Sequence, residues 1–178
     1  MLFRSVRGRH SAEPSAFFIH SSVHRSRPSA KCVLHAHPPY CTAITCMDNG
    51  RLEWCSQNSL RFYGRVAYDD VYNGAAFDQR EGDRISSKLA DADVLFMANH
   101  GVLITGENVA LAFDNLYYLE RAAMAQILAM NTGRSLRIIS DQVCRVTCDQ
   151  FADECDQAYH LLEAIKRILL RECPEFAE

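Results

Sequence analysis

Hydrophobic and polar positions along this chain switch between a helical rhythm and short apolar runs, and most of the switches fall at prolines and glycines. Phe17, Phe18, the His20-Ser21 pair and His24 recur at helical spacing. That segment ends at Arg27, because a residue before proline, here Pro28, avoids the α region. Lys31 to His35 reads as a short buried strand closed by Pro38-Pro39. Tyr40 to Met47 is predicted as a helix with prolines tolerated in its first turn, and Asp48-Asn49-Gly50 as a turn. A short helix over Ser56 to Phe62, a strand over Arg65 to Tyr68 and a charged, exposed helix over Asp78 to Ala90 follow. Val94 to Ala98 is an apolar strand that Asn99-His100-Gly101 interrupts and Val102 to Thr105 resumes.

Two longer helices complete the pattern. From Glu107 to Met130, the residues Val109, Phe113, Leu116, Tyr117, Met124, Ile127 and Leu128 form one stripe, with Glu107, Asp114 and Arg121 opposite. A last helix covers about 150–172, where Phe151, Cys155, Ala158, Leu162, Ile165 and Leu169 form a seam expected to face the core, with a neighbouring subunit as the alternative. Strands alternating with helices predict a layered α/β domain, a sheet with helices packed on its faces.

Composition narrows the function classes. The 178 residues suit one domain over 1–178, with 1–14 irregular. A formal charge of −3 gives no broad reason to expect nucleic acid or an anionic membrane as partner. No apolar run approaches the roughly 20 residues that span a bilayer. The eight cysteines contain no CxxC pair and several sit in apolar runs, so reduced core thiols in a cytoplasmic protein are expected. Arg4, Arg7 and Arg9 precede any acid, a pattern that mitochondrial targeting segments share and that stands as the alternative localisation.

Candidate chemistry centres on VLHAHPPY. Side chains alternate faces along a strand, so His35 and His37 point the same way, with Cα atoms roughly 6.6 Å apart. Two imidazoles at that spacing can share a metal, and a zinc site needs at least a third protein ligand. His100 is the best candidate, ending an apolar strand beside Gly101. Taken alone, an HxH pair is equally a chance pattern of hydrogen-bonded rings. His20 and His24, four residues apart, lack a third ligand and read as packing or surface residues, and His10 and His160 as exposed.

The stretches IHSSVHRSRPSAKCVLHAHPPYCTAI, LRFYGRVAYDD and VLFMANHGVLITGENVALAFDNLYYLERA together resemble the class II aldolase/adducin family, over roughly residues 15–132. The resemblance implies a three-layer α/β/α sandwich with a central mixed sheet, usually tetrameric, and a zinc ion held by His35, His37 and His100, another divalent metal being possible. It also implies an aldehyde-lyase-like activity on a small sugar-derived carbonyl or sugar phosphate. The sequence departs from that pattern at three places. The position of the usual catalytic glutamate falls on Ala16, with Glu13 as a weak substitute. The usual tyrosine position falls near Gln57, with Tyr63 and Tyr68 as substitutes. The phosphate-binding strands that precede the first helix in the family have no counterpart, leaving Ser15 as a weak substrate contact. A non-catalytic adducin-like module that binds metal and protein partners of the actin-cytoskeleton type is therefore the alternative. A zinc hydrolase is a further one, without a second catalytic group in the sequence.

Overall fold

Glu13 opens the described part of the chain as a helix cap, its carboxylate accepting the Ala16 N–H at 2.7 Å. The computed structural model describes residues 13–152 and 155–177. The expectations for the basic opening and for His10 lie outside those residues. Helix α1 (Pro14–Ser26) uses Pro14 in its first turn, where a missing N–H costs nothing, and ends at Arg27 as expected. Strand β1 (Cys32–Ala36) and helix α2 (Pro39–Thr45) follow. Helix α3 (Gln57–Leu60) is capped by Ser56 and leads into β2 (Val66–Asp69). Helix α4 (Gln79–Leu89), capped by Asp78, precedes β3 (Val94–Met97) and β4 (Gly101–Gly106).

The four strands form one mixed sheet in the order β1-β4-β3-β2. β2 and β3 are parallel, while β3–β4 and β4–β1 are antiparallel. Because side chains alternate, each strand feeds both faces. Val94, Phe96, Val102 and Ile104 pack with α2 and with α5 (Val109–Met130), while Leu95, Met97, Leu103 and Val33 pack with α1 and α4. This is the expected three-layer α/β/α arrangement.

Four expectations are corrected. Residues 94–105 do not form one interrupted strand. Met97 pairs with Gly101 across a reversal, so the run is a hairpin, and Asn99 takes a left-handed φ of 56° at its turn. The apolar stripe assigned to α5 is its inward face only in part, at Leu116 and Ile127, which pack against the core. Val109 and Leu128 are exposed, and the buried residues are Ala110, Ala112, Leu119, Ala122 and Ala123 with two polar ones, Asp114 and Gln126. Small side chains allow close packing, and both polar residues find partners, although Asp114 Oδ1 is left buried without one. Gln126 accepts from the Glu53 N–H at 2.7 Å and donates to the Arg51 carbonyl at 2.8 Å, while Asp114 meets Arg61.

The terminal helix begins later than expected, as α7 (Cys155–Glu172), and a further helix, α6 (Asp141–Ala152), precedes it. Residues 141–150 escaped notice because valines, threonine, cysteines and aspartates are weak helix formers and only Cys144 of that helix is buried. The seam of α7 is buried at Ala158 but 39% exposed by Leu169. The cysteines also divide. Cys32, Cys41 and Cys144 are buried as expected, whereas Cys46 and Cys173 are exposed, and the described cysteines are all free thiols.

Arg61, at the end of α3, joins that helix to α5 and α6. Its guanidinium lies 2.8 Å from the Asp114 carboxylate, 3.9 Å from the Tyr118 ring centroid and 4.6 Å from that of Phe151. Arg61→Ala leaves a buried carboxylate without its cation and should cost about 3 kcal/mol or more of stability. Arg61→Lys restores the charge but not the planar stacking on Tyr118 and Phe151, so it should recover only part of the loss. Denaturant midpoints of the two variants check this.

Candidate metal centre

The β1–β4 ladder fixes the site. His35 pairs with Leu103 and Ala36 with Val102, which brings the end of β1 beside the β3–β4 turn that carries His100. His37 lies just past the last residue of β1. The turn is tied to α2 by the Asn99 N–H, which donates to the Thr45 carbonyl at 2.9 Å. The first turn of α2 is tied to α5, where the two Glu120 oxygens accept the Tyr40 and Cys41 N–H groups at 3.0 and 2.9 Å. Gly101 permits the approach itself. A Cβ there would stand 2.6 Å from both the Ala36 carbonyl oxygen and His37 Cδ2.

The three imidazoles form a nearly equilateral triangle, with ring centroids 5.0, 4.8 and 4.8 Å apart. One ligand nitrogen from each lies within 4.8 Å of the others. His35 Nδ1 is 3.0 Å from the Val102 carbonyl, which can only accept, so Nδ1 carries the proton and Nε2 presents a lone pair. That Nε2 faces His37 Nε2 at 3.2 Å. Burial lowers the pKa of His35 to about 4, with the nearby imidazoles adding to the effect, and burial also lowers that of His100. Neutral rings with nitrogens aimed at one point are the form that binds a metal, and the donor set suits a divalent ion that accepts imidazole.

The structure does not bring the other expected residues to this point as a set. Glu13 is exposed and engaged as a cap. The Ser15 hydroxyl, donating at 2.6 Å, is the main reason its carboxyl titrates below the usual range, with the Ala16 N–H next and His35 a minor contributor. Ser15 is thus occupied by Glu13, and Ala16 offers only its backbone N–H. Gln57 is exposed in the first turn of α3. Tyr63 packs against Trp54 and lies 5.5 Å below the Arg145 guanidinium. The Tyr68 hydroxyl accepts the Leu52 N–H at 3.1 Å, and its ring stacks on Phe96. His24 Nδ1 bonds the Ala30 carbonyl at 2.9 Å, a packing role, and His160 is exposed. Half-buried His20 titrates below its usual range because of burial. The sequence reading missed Tyr72, whose ring lies 6.1 Å from that of His100. It follows β2 in a loop, and a single tyrosine in a polar stretch carries no periodic signal.

A mixed four-stranded sheet between helical layers, with an HxH pair meeting a histidine from a hairpin turn, defines a class of α/β proteins rather than a single activity. The description of the Class II Aldolase and Adducin N-terminal domain matches residues 3–127, and the chain belongs to that family. It is 33% identical over 139 residues to a Pseudomonas aeruginosa protein named for aldolase class 2, covering 78% of this chain and 53% of that one. An adducin-related protein of Schizosaccharomyces pombe is 34% identical over 112 residues, 63% of this chain and 34% of that one. A solved aldolase II superfamily protein of Pseudomonas syringae superposes with a TM-score of 0.80 at 32% identity, over 90% of this chain and 64% of that one. The chain spans about half the length of that Pseudomonas aeruginosa protein and of a similarly named Caulobacter vibrioides one.

Two outcomes are expected. Gly101→Ala must push the turn away from His37 and should weaken Co2+ or Zn2+ binding by roughly 10-fold or more, read by competition with a chelating dye. Metal-free protein should also lose stability on acidification. Between about pH 6.5, where an exposed imidazole takes a proton, and about 4, where His35 does so in the fold, the unfolded chain binds more protons than the folded one. Stability should therefore fall as pH drops through that window, and melting curves of His35→Gln should show a weaker dependence.

Proposed function

We propose that this domain binds a divalent metal, zinc being the expected ion, and uses it in aldehyde-lyase-like chemistry on a small sugar-derived carbonyl compound or sugar phosphate. The observation that carries the reading is the convergence of His35, His37 and His100, with centroids 4.8–5.0 Å apart. Three protein ligands leave a position for substrate. A divalent ion held there supplies Lewis-acid stabilisation of charge that develops on the substrate oxygens.

The chain's own residues prepare that site. The Val102 carbonyl fixes the His35 tautomer, and burial keeps the ring neutral at physiological pH. Glu120 holds the segment that leaves His37, and Gly101 allows His100 to stand close. In retro-aldol cleavage the bond between the carbonyl-bearing fragment and the departing aldehyde carbon breaks. Its electron pair stays with the carbonyl fragment, and the hydroxyl proton must leave. Glu13, engaged as the cap of α1, or water would have to take that proton. A homo-oligomer belongs to this reading through the family resemblance alone.

A specific observation favours a second reading. Among the described residues, no carboxylate joins the three-histidine group, as suits a non-catalytic, adducin-like module that binds metal and a protein partner. The two separate in one assay. Metal-loaded protein should release aldehyde from at least one member of a panel of pentulose and hexulose phosphates. The release should stop with a chelator and in His37→Ala. Full metal occupancy without turnover across the panel favours the module, and metal content near zero removes both.

A further inference from the structure

We propose that Arg84, on α4, is a positioning residue for the three-histidine centre, acting through an ion cluster that holds Tyr72 against His100. The inference deepens the metal-centre reading and rests on it for its functional meaning. The cluster is built around Asp69 at the end of β2, whose side chain is 1% exposed. Arg84 grips Asp69 with both terminal nitrogens, at 2.8 and 2.7 Å. The same guanidinium reaches Glu81 from Nη2 at 2.7 Å and from Nε at 3.0 Å.

This cluster holds the loop on both sides of Tyr72. Asp69 accepts the Val71 N–H at 3.3 Å, and Arg84 donates to the Val71 carbonyl at 3.2 Å. On the other side, the Asn73 amide donates to Glu81 at 3.4 Å. Between these anchors the Tyr72 ring meets the His100 ring at 62° with centroids 6.1 Å apart, while the residue stays 52% exposed. An exposed aromatic on a loop normally samples several rotamers, and the backbone tethers at Val71 with the side-chain tether at Asn73 restrict that freedom. The consequence is an aromatic wall beside one ligand ring, set in place from a helix that has no ligand of its own. A planar, bidentate guanidinium is the group suited to join two carboxylates and a carbonyl at once.

The test uses the full chain, metal-free, with labelled histidines. The His100 ring signal is assigned by its disappearance in His100→Gln. Tyr72→Leu should shift that signal, Arg84→Met should shift it similarly, and adding Tyr72→Leu to Arg84→Met should produce no further shift. Arg25→Met, which removes an exposed ion pair to Asp83 on the same helix, should leave it unmoved. If Arg84→Met does not fold because Asp69 is stranded, Asp69→Asn with Arg84→Met removes the buried charge together with its partner and should give the same result. An unmoved His100 signal on loss of Arg84, or an undiminished Tyr72 effect in its absence, overturns the proposal. Failure of the metal-centre reading would show separately, as no uptake of Co2+ by the wild-type protein.

Discussion

The register between β1 and β4 is the constraint on which the site depends. His35 stands opposite Leu103, and a shift of one residue in that ladder would send its ring to the other face of the sheet. The hydrophobic pattern prevents such a shift. Val33 and Leu103 belong to the α1/α4 side and Val102 and Ile104 to the α2/α5 side, so slippage would expose both cores at once. The imidazoles are therefore aligned by apolar packing that contains no imidazole.

Support for the centre comes from outside as well. Glu120 reaches from α5 to the first turn of α2 and Gln126 to the loop at Glu53, where their oxygens accept backbone N–H groups that need partners away from water. Asp114, on the same helix, meets Arg61. The inward side of α5 thus combines alanines, which let it lie close to the sheet, with buried Asp114 and Gln126 and half-buried Glu120, which fasten the chain around it. A helix with that composition has little amphipathic contrast.

For this reason α5 was legible as a helix but not in its orientation. Its length, Asn108 cap and low glycine content are local properties, whereas the inward turn of Asp114 depends on Arg61, more than fifty positions away in the chain. The same division applies to the centre. His35 and His37 declare themselves by spacing, and His100 by its place at the end of an apolar run. Tyr72 and Arg84 could not be read, because their relation to His100 arises only when β2 lies parallel to β3 and α4 packs behind. The reversal at Asn99 was hidden because its two apolar strands read as one interrupted run. Family resemblance pointed to the right layers, and the structure supplied the contacts that resemblance leaves open.

The double acceptance by Glu120 changes how genetic data on this protein should be interpreted. The residue caps a helix other than its own, at the turn through which the chain departs from His37. Variants there would loosen the exit of the HxH segment while leaving every imidazole in the sequence. A mutational scan scored by metal retention would consequently rank an acidic residue of α5 beside the ligands, and a chemist reading only that scan would draw a fourth donor where there is a hinge pin.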